Sequence, residues 1–101
     1  VGGYNSSNTC HLASMCVSRG VRTYHIEDSS CIDSTAGTIE HQPVGGHDLK
    51  IDADWMSGVS VLGLTAGAST PNNKIGQTVA RVCETAGLIT HLDSAIGGQP
   101  R

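Results

Sequence analysis

Apolar residues recur at helical spacing in a first stretch from Thr9 to Arg19. Leu12, Met15 and Cys16 fall on one face of the helix that this spacing predicts. The glycine that follows at position 20 suits the left-handed conformation in which many helices end. The pattern therefore predicts an amphipathic helix near the start of the chain.

A second helical pattern follows Pro71, a residue that suits the first turn of a helix because its missing N–H would have no partner there. Apolar positions then recur every three or four residues until Gly87, which is expected to end this helix. These positions are Ile75, Val79, Val82, Cys83 and Ala86.

Apolar and β-branched runs around the two helical patterns predict strands. Residues 1–4 have the pattern of a strand end, 21–26 of a strand, 59–64 of a strand buried on both faces, and 88–92 of a last strand. The alternation of strands with helices predicts an α/β fold. We expect a three-layer lobe in which a small parallel sheet is flanked by helices.

The segment 27–57 interrupts this alternation because it is rich in Asp, Ser, Gly and His. We predict an irregular and mobile connection there, with one short extended piece at Thr38–His41. Trp55 is expected to anchor the connection in the core. The length predicts a single domain over 1–101, with residues 97–101 as a frayed tail.

The composition narrows the class of protein. The 101 residues contain six Lys and Arg against nine Asp and Glu, which gives a formal net charge of -3. A basic surface for nucleic acid is therefore not expected. No apolar run approaches the length of a membrane span, so a membrane partner is not expected either.

Two short polar turns carry the candidate chemistry. Residues 2–9 have the sequence Gly-Gly-Tyr-Asn-Ser-Ser-Asn-Thr, and residues 65–71 have the sequence Thr-Ala-Gly-Ala-Ser-Thr-Pro. Each turn precedes a predicted helix, where free N–H groups and the helix dipole favour an anion. In a parallel sheet both turns would emerge at the ligand-binding edge. Ordinary helix capping is the alternative interpretation.

The exact sequence of both turns is similar to two motifs of one enzyme family. Residues 5–9 and 65–71 resemble the Asn-Ser-Ser-Asn-Ser/Thr and Thr-Ala/Ser-Gly-Ala-Ser-x-Pro motifs of hydroxymethylbutenyl diphosphate reductases. The stretch 37–41 resembles the longer connection of the plant and cyanobacterial branch. The resemblance covers residues 1–87.

This resemblance implies a diphosphate-binding role for four residues. Substrate diphosphate is bound in the family by the motif positions that correspond here to Ser6, Ser7, Asn8 and Ser69. The family reaction is the reductive loss of an allylic hydroxyl, which yields isopentenyl and dimethylallyl diphosphates in the non-mevalonate isoprenoid pathway. Hydroxyl and amide groups suit the binding role because they donate hydrogen bonds to phosphate oxygens while staying uncharged.

The resemblance also implies what this chain lacks. Family members use a [4Fe-4S] cluster, and its cysteine ligands and the acid–base residues precede the first motif. None of Cys10, Cys16, Cys31 and Cys83 matches a cluster-ligand position. We therefore expect the truncated C-terminal lobe of a three-lobed reductase, without catalytic or metal-binding residues and inactive by itself.

The resemblance implies an electron donor such as ferredoxin or flavodoxin for the full enzyme, and a cytoplasmic location in bacteria or a plastid location in plants. Two other interpretations stay open. One is a stand-alone phosphate-binding α/β module without redox activity, and the other is a structural segment whose polar turns only cap helices. A zinc site is not expected because no recognised Cys or His spacing occurs.

Overall fold

The computed structural model describes residues 1–87 of the chain. The predicted strand at 88–92 and the predicted frayed tail at 97–101 lie outside these residues. The elements in chain order are helix α1 (Ser7–Ser18), a short 3-10 helix (Ser29–Cys31), strands β1 (Ile32–Asp33), β2 (Thr38–His41) and β3 (Lys50–Ala53), and helix α2 (Asn72–Ala86).

Both predicted helices are present, and glycine ends each of them. Helix α1 begins after its N-cap residue Ser6, and Gly20 follows its end with a φ of 79°. The N–H groups of Gly20 and Val21 bond back to carbonyls of the last turn, which is the Schellman arrangement. Helix α2 ends at Gly87 with a φ of 76°. Neither helix is long and apolar enough to cross a membrane.

The three-stranded sheet is antiparallel, with the order β1-β2-β3. The predicted extended piece at Thr38–His41 is confirmed as β2, but all three strands lie within 27–57, where we expected an irregular connection. The expected parallel sheet is therefore wrong for the described residues. The broader prediction of a small α/β fold is confirmed.

Local turn chemistry explains this sheet. The Asp33 carboxylate accepts hydrogen bonds from the N–H groups of Thr35 and Ala36, at 3.0 and 2.9 Å. Gly37 then takes a left-handed φ of 71°, and its N–H bonds to the Asp33 carbonyl. An Asx turn followed by glycine reverses the chain and brings β2 back beside β1.

The predicted strands at 21–26 and 59–64 do not form sheet ladders. The first two residues of the chain lie between them, however, and make main-chain hydrogen bonds to Ile26 on one side and to residues just after 59–64 on the other. The Val1 nitrogen donates to the Thr65 carbonyl at 2.8 Å, and the Val1 carbonyl accepts from Gly67 at 3.0 Å. Val1 thus bonds to the residues before and after Ala66, a pattern that is characteristic of parallel strand pairing. On the other side, Gly2 donates to the Ile26 carbonyl at 3.0 Å.

The core packs between the sheet and the segment before it. Four buried residues form it, namely Ile26, Ile32, Ile39 and Trp55. The predicted anchoring role of Trp55 is confirmed, since its exposed fraction is 5% and its ring packs edge-on against Tyr24. The apolar run 59–64 differs from the prediction of burial on both faces, because Val61 is 89% exposed.

Thr9, in the first turn of α1, lies against Gly2 in its own polar turn and against Gly67 in the other. A Cβ atom built on Gly2 would lie 2.3 Å from the Thr9 hydroxyl oxygen, and one built on Gly67 would lie 2.1 Å from it. Thr9 itself is only 3% exposed. The second polar turn therefore approaches the first so closely that Gly67 has no room for a side chain, and Gly2 has none within the first turn.

We predict that Ile39→Ala lowers the free energy of unfolding by about 2–5 kcal/mol, because it removes methyl groups from a side chain that is 2% exposed. Ile51→Ala on the adjacent strand is the matched control, since Ile51 is 66% exposed. It should change stability by less than about 1 kcal/mol. Urea denaturation measures both, and equal losses would contradict the assignment of the core.

We also predict that Gly67→Ala lowers stability by about 1–3 kcal/mol, because the new methyl group collides with Thr9. Gly63→Ala is the control, since a Cβ there meets nothing within 4 Å. In a Thr9→Ala background, Gly67→Ala should lower stability by less than it does in the unmodified chain, because the side chain with which it collides is gone. Purely additive losses in this double-mutant cycle would show that the two positions do not touch.

Candidate functional site

The first polar turn is the N-terminus of α1. The hydroxyl oxygen of Ser6 caps the helix by accepting a hydrogen bond from the Thr9 N–H at 3.3 Å. Ser7 and Asn8 follow as exposed residues of the first helical turn. Their N–H groups have no hydrogen-bond acceptor within residues 1–87, as is expected at a helix start.

The second polar turn leads into α2. The Thr70 N–H bonds to the Gly67 carbonyl at 2.9 Å, which closes a tight turn with Ser69 exposed inside it. Pro71 stands at the N-cap position and provides no side-chain cap. Within the part of the chain that the structure describes, the Ser69 hydroxyl makes no hydrogen bond, unlike the neighbouring Ala68 N–H and Thr70 hydroxyl.

One side chain joins the two turns directly. The Oδ1 atom of Asn8 accepts a hydrogen bond from the Ala68 N–H at 3.0 Å. Because an N–H donor requires an acceptor, this contact fixes which side of the Asn8 amide is oxygen. The Asn8 amino group is left as a donor, and Ser69 is the residue next to Ala68. The structure thus brings Ser6, Ser7 and Asn8 beside the turn that carries Ser69.

Sequence reasoning missed Thr9 and the two glycines as the contact between these turns. The sequence does contain a signal for it, because each polar turn includes a glycine, at positions 2 and 67, without a helix end nearby to require one. Gly67 and Gly2 are both buried, and close approach of the Thr9 side chain accounts for Gly67. At Gly2 the same contact adds to a φ of 154°, which itself favours glycine.

The two polar turns themselves carry no acidic residue. Neither helix has an acidic residue in its first turn, although Asp and Glu are favoured there. Burial, together with a contact to the Cys31 thiol at 3.4 Å, raises the pKa of Tyr4 above its usual value, so this phenol stays neutral. No carboxylate occurs in residues 1–20 or 55–83 of the sequence. Carboxylates of the segment between the turns do come near them, because the charge of Glu27 acts on Tyr4 and that of Asp28 acts on Lys74, in the first turn of α2.

The residues present do not fit a metal cluster. Among residues 1–87, no three His, Cys, Asp or Glu side chains come together in a group that would hold a metal ion. The four cysteines are separate and free, and Cys10 donates its thiol proton to the Tyr4 carbonyl at 3.3 Å. The groups that the two polar turns offer a ligand are hydroxyl, amide and main-chain N–H groups, all of them neutral.

Comparison with known proteins gives consistent matches. Residues 1–83 match the sequence model of the family described as LytB protein. A 4-hydroxy-3-methylbut-2-enyl diphosphate reductase of Synechococcus sp. (strain CC9902) is 42% identical over 83 residues, which are 81% of this chain and 21% of that protein. The reductase of the same name from Gloeobacter violaceus is 39% identical over 89 residues, or 87% of this chain and 21% of that protein.

A third relative, the reductase of the same name from Trichodesmium erythraeum, is 42% identical over 83 residues, which cover 81% of this chain and 20% of that protein. No solved structure matches the chain. The chain thus spans about one fifth of the length of the curated relatives that it matches. The family match includes both polar turns, and the chain belongs to the LytB protein family.

Proposed function

We propose that this chain forms the diphosphate-binding part of a 4-hydroxy-3-methylbut-2-enyl diphosphate reductase. The observation that carries the proposal is the bond between Asn8 and Ala68, which joins the two polar turns. It places the hydroxyl-rich start of α1 beside the turn that leads into α2. Relatives named for a diphosphate substrate support the same ligand class.

Each of the four residues offers the ligand a neutral donor. The hydroxyls of Ser6, Ser7 and Ser69 donate to phosphate oxygens, and Asn8 donates through its free amino group. The unpaired N–H groups at the start of α1 add two more donors and the positive end of a helix dipole. Hydrogen bonds to a charged oxygen are stronger than those between neutral groups, so few cations are needed.

The remaining parts of the enzyme are proposed to lie outside the residues described here. We place this chain as the C-terminal lobe of a three-lobed reductase, with the [4Fe-4S] cluster held by other lobes and supplied with electrons by ferredoxin or flavodoxin. When bound, such a cluster supplies the electrons for the reduction. This chain alone is proposed to bind the diphosphate without reducing it. We propose a cytoplasmic location in a bacterial source and a plastid location in a plant source.

We predict that inorganic pyrophosphate binds the 101-residue chain and shifts the amide resonances of both polar turns. Ser6→Ala and Ser69→Ala should each weaken this binding by about 1–3 kcal/mol, because each removes a hydrogen bond to a charged oxygen. Isothermal titration calorimetry measures the affinities, and two-dimensional amide spectra locate the binding.

Ser14→Ala is the matched control, because Ser14 is an exposed serine of α1 beyond its first turn. Its affinity for pyrophosphate should equal that of the unmodified chain. Orthophosphate should bind more weakly than pyrophosphate, since it engages only one of the two turns at a time. Affinities unchanged by both Ser6→Ala and Ser69→Ala would rule out the proposed site.

A further inference from the structure

The hydrogen bonds around the Ser6 hydroxyl are unusual for a simple helix cap. Its oxygen accepts from the Thr9 N–H at 3.3 Å and also from the Thr9 hydroxyl at 3.1 Å. A serine hydroxyl has two lone pairs and one proton. Both lone pairs are therefore occupied by one residue, and the proton of Ser6 is the only part of the group left to interact with anything else.

The Thr9 hydroxyl has little freedom to do otherwise. Thr9 is 3% exposed, and its hydroxyl oxygen lies against the backbone of Gly2 and Gly67. Threonine is also stiff at χ1 because its Cβ is branched. The packing between two glycines therefore holds the Thr9 hydroxyl in the direction of Ser6, and it does so only while the two polar turns are in contact.

We infer that Thr9 is a positioning residue, whose hydroxyl orients the Ser6 hydroxyl as a donor toward a phosphate group bound between the two turns. The inference rests on the proposed diphosphate site. Thr9 is buried and is not expected to touch the ligand. Thr9 affects binding through Ser6. Its two hydrogen bonds occupy both lone pairs of the Ser6 oxygen, so the Ser6 hydroxyl can interact with a ligand only as a donor.

This role differs from a packing role in a way that experiment can separate. Thr9→Val keeps the shape of the side chain and removes the hydroxyl, whereas Thr9→Ser keeps the hydroxyl and removes a methyl group. If Thr9 only fills space between the glycines, the serine variant is the more damaged of the two. If Thr9 positions Ser6, the valine variant loses affinity and the serine variant retains it.

The test is the affinity of the 101-residue chain for inorganic pyrophosphate, measured by calorimetry. We expect Thr9→Val to weaken binding about three- to tenfold, which corresponds to one net hydrogen bond. The affinity of Thr9→Ser should lie within about twofold of that of the unmodified chain, because this variant keeps the hydrogen bond to Ser6. Unfolding of each variant by urea is measured in parallel, so that loss of affinity is separated from loss of structure.

A double-mutant cycle tests the route through Ser6. In a Ser6→Ala background, Thr9→Val should cause no further loss of affinity, because the group that Thr9 orients is gone. In a Ser69→Ala background, it should cause the same three- to tenfold loss as in the unmodified chain, because the hydrogen bonds of Thr9 within residues 1–87 go to Ser6 and none goes to Ser69. Additive losses in both backgrounds would overturn the inference.

The outcomes also separate the inference from the proposed function. If Ser6→Ala and Ser69→Ala weaken pyrophosphate binding but Thr9→Val does not, Thr9 is no positioning residue and the diphosphate site stands. If neither serine variant loses affinity, the site itself is wrong, and the inference fails with it. Should Thr9→Val not fold, Thr9→Ala against Thr9→Ser gives the same comparison, because these two variants differ only in the hydroxyl.

Discussion

The contact of Thr9 with Gly2 and Gly67 is the constraint on which the arrangement of the two polar turns depends. A Cβ atom at either glycine would come within 2.3 Å of the Thr9 hydroxyl oxygen. Only backbone without a side chain permits this approach. The bond from Ala68 to Asn8 and the main-chain bonds of Val1 to Thr65 and Gly67 all lie around this contact. If this close approach were lost, the partners of all these hydrogen bonds would move apart at the same time.

The proposed site uses neutral donors in place of formal charge. Asn8 commits its oxygen to Ala68, and Ser6 commits its oxygen to Thr9. Both side chains are left with donor groups only. An anion placed between the turns would meet donors and helix N-termini without a carboxylate in either first turn. In the proposed site, selectivity for an anion would thus arise from how acceptors are used within the protein, as much as from which residues are present.

Some of this could be predicted from the sequence. Helical spacing and the glycines at 20 and 87 located α1 and α2, because these signals are local. The antiparallel sheet was missed because β1 has only two residues, and its pairing with β2 depends on the Asx turn at Asp33. The run 59–64 has the pattern of a buried strand, yet Val61 is 89% exposed, since within residues 1–87 no element covers it. Sequence spacing could not give the packing of Thr9 between glycines far apart in the chain.

The bond between Asn8 and Ala68 spans 60 positions of the chain. Closing a loop of that length costs conformational entropy, which the contacts between the turns must offset. A ligand that binds both turns would bind only the closed form and would therefore stabilise it in proportion to the logarithm of its concentration. Binding of such an anion would then be coupled to the folding of this region. The ligand would act as a reversible cross-link between the start of the chain and the turn that precedes α2.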